Sequence, residues 1–91
     1  MQAYHAIISG RVQGVFFRDS LRQEATKLGL VGWVRNLASG QVECMIAGGS
    51  EPMAVIQAWL KHGPQEAEVT KVEGKLVASE AWDDFRIVPS V

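Results

Sequence analysis

Hydrophobic and polar residues alternate at the start of this chain with the period of a β-strand that has one buried face. The alternation runs through residues 4–12, with Ile7 as the exception. One side of this segment is apolar or carries a glycine: Ala6, Ile8, Gly10 and Val12. The other side is polar: His5, Ser9 and Arg11. The pattern predicts a half-buried strand.

Two segments show helical spacing of apolar residues instead. In residues 19–28 the apolar positions are Leu21, Ala25 and Leu28. Asp19 or Ser20 suits the N-cap of this helix, since Ser20 and Gln23 fit a capping box. Gly29 suits the left-handed residue that follows the last turn.

The second helical segment follows Ser50, which we expect to be its N-cap. Its apolar side comprises Met53, Ile56, Trp59 and Leu60. Gly63 and Pro64 predict its end, because neither residue favours continuation of a helix.

The remaining segments are predicted to be strands. They are residues 31–37, 41–48, 67–79 (interrupted near Gly74) and 84–88, the last ended by Pro89. The order is therefore β-α-β-β-α-β plus a short C-terminal strand. Two amphipathic helices can cover one apolar face of a sheet, so we predict an α+β, ferredoxin-like sandwich with an antiparallel sheet and both helices on one face.

This topology places two polar residues at one edge of the sheet. A strand, a crossover helix and a second strand in one sheet make the two strands parallel, so Arg18 and Asn36 follow strand ends at the same edge. The loop Gln13–Phe17 leads into a helix N-terminus, where backbone N–H groups lack partners and favour an anion. Gly14 permits the turn, and we expect Val15, Phe16 and Phe17 to anchor the loop in the core.

Several phosphate chemistries do not fit these residues. No Lys-Ser/Thr pair follows the glycines as in a P-loop, and Gly10 and Gly14 lack the dinucleotide-binding spacing. Cys44 lies in a predicted strand, away from the loop where a phosphatase thiolate would stand, and we expect it to be a small core residue. No metal-ligand spacing is present. An anion loop, one guanidinium and one neutral amide remain, which suits a substrate with a good leaving group.

Length, charge and cysteine content restrict the kinds of protein that this chain can be. The 91 residues suit a single domain, residues 1–91, and the formal net charge of −1 offers no basic field for nucleic acid. A single cysteine excludes an intramolecular disulfide. Neither a membrane span nor a signal peptide is evident, so we expect a cytoplasmic protein without a membrane partner.

The segments GRVQGVFFR (10–18) and GLVGWVRN (29–36) together resemble the acylphosphatase signature. GQVECMIAG (40–48), WLKHGP (59–64), AEVTKV (67–72) and DFRI (84–87) are similar to the rest of that family in order and spacing. Many members end soon after the F-x-I strand, whereas this chain continues as Val-Pro-Ser-Val.

The resemblance implies a metal-free, cofactor-free hydrolase that cleaves the carboxyl-phosphate bond of small acyl phosphates. It implies that Arg18 binds the phosphoryl group, that Asn36 orients the attacking water, and that backbone amides from Gln13 to Arg18 bind the other phosphoryl oxygens. These amides belong to Gln13, Gly14, Val15, Phe16, Phe17 and Arg18. A phosphate or sulfate ion is then expected to fit the site, and we expect a monomer.

Two other functions, phosphate sensing and RNA binding, are alternatives to hydrolysis. A phosphate-sensing module without turnover would share the anion loop, since larger proteins contain acylphosphatase-like domains. An RNA-binding sheet would need paired aromatic residues on the open face and a basic surface. The net charge of −1 and the lack of an RNA-binding signature argue against it.

Overall fold

The computed structural model describes residues 2–91, which form two helices on a five-stranded sheet. The strands are β1 (Gln2–Arg11), β2 (Val31–Asn36), β3 (Val42–Ala47), β4 (Glu68–Ala78) and β5 (Phe85–Ile87). The helices are α1 (Phe17–Lys27) and α2 (Ser50–Leu60). The order confirms the predicted ferredoxin-like arrangement and its additional terminal strand.

The sheet brings the ends of β1 and β2 to one edge. Its strand order is β4-β1-β3-β2-β5, and the first four of these strands pair antiparallel. In β3, Val42 is opposite Ile8 of β1 on one side and opposite Asn36 of β2 on the other. The loop after β1 therefore begins beside the end of β2, as the crossover predicted. The short β5 differs from the other strands because it pairs in parallel with β2.

One face of the sheet is buried under both helices. The fully buried side chains include Leu21 of α1, Ile56 and Leu60 of α2, and the strand residues Ile8, Val34 and Ile46. Cys44 is also completely buried, which confirms it as a core residue. Phe17 at the start of α1 packs against Trp59 of α2, with ring centroids 5.4 Å apart and the planes tilted by 54°.

The N-terminal ends of both helices differ from the prediction. α1 begins at Phe17, two residues before Asp19, and its N-cap Phe16 makes no side-chain capping bond. The capping box of Ser20 and Gln23 is therefore wrong, because Ser20 already lies in the first turn and donates its N–H to the carbonyl of Phe16 at 3.0 Å. The N-cap of α2 is Gly49, so the expected Ser50 cap is wrong as well.

The C-terminal end of α1 agrees with the prediction. Gly29 adopts a left-handed conformation with φ of 72°. Its N–H donates to Thr26 at 3.1 Å, and the N–H of Leu30 reaches back to Ala25 at 2.9 Å. These two bonds form a Schellman motif, and Leu30 is buried as its apolar contact. In residues 2–91, no helix is long and apolar enough to cross a membrane.

The predicted interruption of the fourth strand at Gly74 is wrong. β4 runs without a break through Gly74, which pairs with Ala6 of β1. A side chain at this position would collide with the ring of Tyr4. The glycine thus makes room for an aromatic ring from the neighbouring strand, and the register shift between β1 and β4 lies instead between Ser9 and Gly10.

Candidate active site

The loop between β1 and α1 has an unusual backbone. Gly14 has a φ of 74°, and Phe16 adopts a left-handed conformation with φ of 61° and ψ of 26°. Phe16 is the one residue other than glycine with positive φ in the described chain. A left-handed conformation costs a bulky L-residue about 1–2 kcal/mol. The rest of the structure therefore holds this loop against its local preference.

The side chains of the loop point in different directions. Val15 is 5% exposed and Phe17 is 1% exposed, so these two anchor the loop in the core as predicted. Phe16 between them is 73% exposed, so its predicted role as a core anchor is wrong. The left-handed turn at Phe16 lets both of its neighbours reach the core while its own ring faces solvent.

A row of backbone N–H groups is left without acceptors by this geometry. Ser20 makes the first helical hydrogen bond of α1. The N–H groups of residues 14–19 donate to no acceptor within residues 2–91. Unpaired N–H groups at a helix N-terminus carry partial positive charge and favour a bound anion.

Arg18 adds a full positive charge to the same place. It is half-buried, and within residues 2–91 no carboxylate lies within ion-pair distance of it. The neighbouring Asp19 pairs with Arg22 instead, at 3.6 Å. A guanidinium in the first helical turn is unfavourable beside the positive end of the helix dipole, so an anion bound here would relieve that repulsion.

An open cleft of about 310 Å³ lies over this loop. Its wall includes Gln13, Gly14, Phe16, Phe17 and Arg18 from the predicted binding segment, together with Val12, Asp19 and Ile87. Val15 does not line it, because its side chain is buried in the core. Asn36 does not line it either, although it ends β2 at the same edge of the sheet.

Asn36 carries an unsatisfied acceptor. Its side-chain Oδ1 is buried and has no hydrogen-bond partner among the described residues. Leaving a buried polar atom unpaired costs about 1–3 kcal/mol. Its backbone carbonyl, in contrast, accepts a hydrogen bond from the N–H of Val91 at 3.1 Å. The C-terminal residues beyond β5 thus follow β2 as far as Asn36.

Gln13 connects the loop to the β2–β3 hairpin. Its side-chain Nε2 donates to the carbonyl of Leu37 at 2.8 Å and to the carbonyl of Gln41 at 2.9 Å. Leu37 is the residue after Asn36, so Gln13 joins the anion loop to the neighbour of the predicted water-orienting residue. The sequence predicted a phosphoryl-binding role only for the backbone amide of Gln13. Nothing in the local sequence pattern indicates that this side chain bonds to residues 24 and 28 positions further along the chain.

A separate charged cluster crosses three strands of the sheet. Glu43 accepts hydrogen bonds from His5 and from Arg35, each at 2.7 Å, and Arg35 lies 4.9 Å from the ring centre of Trp33. Burial raises the pKa of Glu43, but the hydrogen bonds from His5 and Arg35 outweigh it and hold the pKa below its ordinary value. Arg35 is therefore a paired sheet charge. No group of three or more metal-binding side chains occurs within residues 2–91.

Comparison with known proteins identifies the family of this chain. The family model described as acylphosphatase matches residues 4–87. An acylphosphatase of Coxiella burnetii is 43% identical over 83 residues, which cover 91% of this chain and 87% of that protein. The crystal structure of acylphosphatase from Bacillus subtilis superposes with a TM-score of 0.92 at 36% identity, covering 97% of this chain and 99% of that one.

A larger protein contains a similar unit. Full-length HypF, crystallised in a phosphate- and nucleotide-bound form, matches with a TM-score of 0.90 at 30% identity. The match covers 98% of this chain and 12% of HypF. The family model spans most of the sequence, and relatives of similar length are more than 40% identical to it. This chain therefore belongs to the acylphosphatase family, a family of hydrolases.

Proposed function

We propose that this protein hydrolyses small acyl phosphates at the cleft over the β1–α1 loop, at the edge of the sheet where β2 also ends. Water attacks phosphorus, the bond between phosphorus and the acyl oxygen breaks, and the carboxylate leaves. An acyl phosphate dianion and water give a carboxylate and dihydrogen phosphate, so both protons of the water remain on the phosphate product. The observation that carries the proposal is the row of unpaired N–H groups at residues 14–19 beside the unpaired Arg18.

The loop and Arg18 are the proposed phosphoryl-binding groups. The N–H groups from Gln13 to Arg18 and the planar guanidinium of Arg18 can donate to the three non-bridging oxygens. Charge on these oxygens changes as the phosphoryl group is transferred, so donors already in place stabilise the transition state without rearranging. Gly14 supports this arrangement, because its φ of 74° strains any residue with a side chain.

Asn36 is the proposed water-orienting residue. An acceptor is needed to hold one hydrogen of the attacking water so that an oxygen lone pair faces phosphorus. The buried Oδ1 of Asn36 has no protein donor among the described residues, and a water that donates to it would also remove the cost of leaving it unpaired.

The leaving group explains why little acid–base chemistry is required. A carboxylic acid has a pKa of about 4, so a carboxylate departs at neutral pH without being protonated. The one carboxyl in the wall of the cleft, Asp19, is engaged with Arg22 within the described chain. Positioning and charge stabilisation therefore supply the catalysis in this proposal.

A non-catalytic phosphate-binding module is the second candidate. It is favoured by the similarity to HypF, where the matching unit is 12% of a larger chain. Both candidates predict that inorganic phosphate raises the melting temperature of the protein. Only the hydrolase predicts turnover.

The test is hydrolysis of benzoyl phosphate with EDTA present. We expect Arg18→Ala to reduce kcat/KM by about 100- to 1,000-fold, the range for removal of one preorganised transition-state donor. We expect Asn36→Ala to reduce it by about 100-fold, because the attacking water is no longer positioned. Arg86→Ala is the matched control, because Arg86 of β5 is exposed and pairs with Asp84, the residue before that strand, at 2.7 Å. Full activity in either site variant would contradict the assignment, and phosphate binding by a wild-type protein without turnover would favour the binding module.

A further inference from the structure

The exposed ring of Phe16 has no explanation in the folding of the chain. Phe16 is 73% exposed, whereas the other two phenylalanines, Phe17 and Phe85, are 1% and 6% exposed. Its backbone is also left-handed, a conformation that glycine or asparagine adopts at lower cost than phenylalanine. Neither burial nor backbone preference favours an aromatic residue here.

The position of Phe16 suggests a contact with ligand. It lines the cleft together with Arg18 and Gly14, which form the polar part of the wall. Ile87 of β5 lines the same cleft and is half-buried. The cleft thus has a charged, N–H-rich part next to an apolar part. An acyl phosphate has the same two parts, a phosphoryl dianion joined to an organic acyl group.

The direction of the proposed reaction agrees with this division. In phosphoryl transfer the attacking and leaving oxygens lie roughly in line on opposite sides of phosphorus. Asn36, the proposed water-orienting residue, does not line the cleft to which Phe16 contributes. The departing carboxylate and its organic group therefore belong on the side of Phe16.

We propose that Phe16 is a specificity residue that contacts the acyl group and favours acyl phosphates with aromatic acyl groups over those with small aliphatic ones. This inference rests on the proposed function. An exposed phenyl ring can stack on an aromatic acyl group, whereas the single methyl group of acetyl phosphate offers little area for contact. Selectivity then comes from one ring at the rim of the cleft rather than from an enclosed pocket.

The experiment measures kcat/KM for benzoyl phosphate and for acetyl phosphate and compares their ratio between variants. In Phe16→Ala we expect the benzoyl-to-acetyl ratio to fall by about 2- to 12-fold, the range for one aromatic pair. Phe16→Tyr keeps the ring and should keep the ratio. Phe16→Asn tolerates the left-handed backbone and should lose the ratio as Phe16→Ala does. A change in loop geometry affects the phosphoryl group that both substrates share, so it cancels in the ratio.

Val55→Ala is the control, because Val55 is an exposed apolar residue (55%) on α2 and is absent from the wall of the cleft. An unchanged ratio in both Phe16→Ala and Phe16→Asn would overturn the inference, as would an equal loss of ratio in Phe16→Tyr. Failure of the wild type to hydrolyse either substrate would instead overturn the proposed function. The two failures are therefore distinguishable.

Discussion

Removal of the Gln13 side chain tests whether the contact between the anion loop and the β2–β3 hairpin positions the site. Its amide donates to the carbonyls of Leu37 and Gln41 at 2.8 and 2.9 Å. These hydrogen bonds connect the loop to Leu37, the residue next to Asn36, and to Gln41 across the hairpin. Gln13→Ala removes both bonds while leaving Arg18 and the backbone N–H groups of α1 in place.

The cost to stability follows from what the two carbonyls retain. Leu37 still accepts from the N–H of Gly40 at 3.1 Å, and Gln41 still accepts from the N–H of Leu37 at 2.8 Å. Neither carbonyl is left unpaired, so only the net value of two hydrogen bonds is lost. We expect the free energy of unfolding to fall by about 1–3 kcal/mol, which corresponds to a decrease in Tm of about 4–24 °C for a domain of this size.

A charged substitution sharpens the test. In Gln13→Glu a carboxylate replaces the amide opposite the same two carbonyl oxygens, and it has no proton to donate. At pH 7 this variant should therefore be less stable than Gln13→Ala. Protonation restores a donor, so the pKa of the introduced carboxyl is raised in the folded state. The deficit should then shrink as the pH falls toward about 4.

The assay combines urea denaturation with steady-state hydrolysis of benzoyl phosphate. If Gln13 positions the hairpin, Gln13→Ala should lower kcat by about 10- to 100-fold, since a misplacement near 1 Å costs about that much. Phosphate-induced stabilisation should be affected less, because Arg18 remains. Gln23→Ala, an exposed glutamine on α1, is the control and should stay within about 0.5 kcal/mol of the wild type. Loss of stability with unchanged kcat would refute the positioning role.

Three further results are expected. Because the pKa of Glu43 lies below its ordinary value of 4.5, its bonds to His5 and Arg35 stabilise the fold above that pH; the stability gap between wild type and Glu43→Gln in urea should narrow as the pH falls below 4.5, and a constant gap would contradict this. Burial raises the pKa of Cys44 to about 12, so a thiol reagent should label it only in denaturant. Phe17→Ala should cost about 3–5 kcal/mol in urea denaturation, because a buried ring is lost; a loss below about 1 kcal/mol would contradict its role in the core.

The predictions that succeeded depended on short-range patterns. Alternation placed β1 and β3, and helical spacing placed both helices, because each pattern follows from the geometry of one element against one core. Gly29 was predicted as the left-handed end of α1 since few other residues adopt that conformation at low cost. The common edge of β1 and β2 followed from the crossover helix between them, which makes the two strands parallel.

One prediction that failed depended on a partner far away in sequence, and another missed a helix start by one residue. Gly74 resembled a break in β4, but the ring of Tyr4 from the neighbouring strand occupies the space that a side chain would need. Ser50 was predicted to be the N-cap of α2, but the N-cap is the preceding residue, Gly49. Local preference cannot reveal the role of Gly74, because packing across the sheet decides it.

The sequence by itself determined the order of the elements and the segment proposed to bind an anion, because apolar periodicity and the glycine and arginine of that segment are local properties. Tertiary structure decided how the segment is used. Both Val15 and Phe17 must reach one core, so the backbone turns left-handed at Phe16 and leaves its ring exposed beside Arg18. The same folding brings Gln13 to the hairpin that carries Asn36, a contact that depends on the packing of strands distant in the chain.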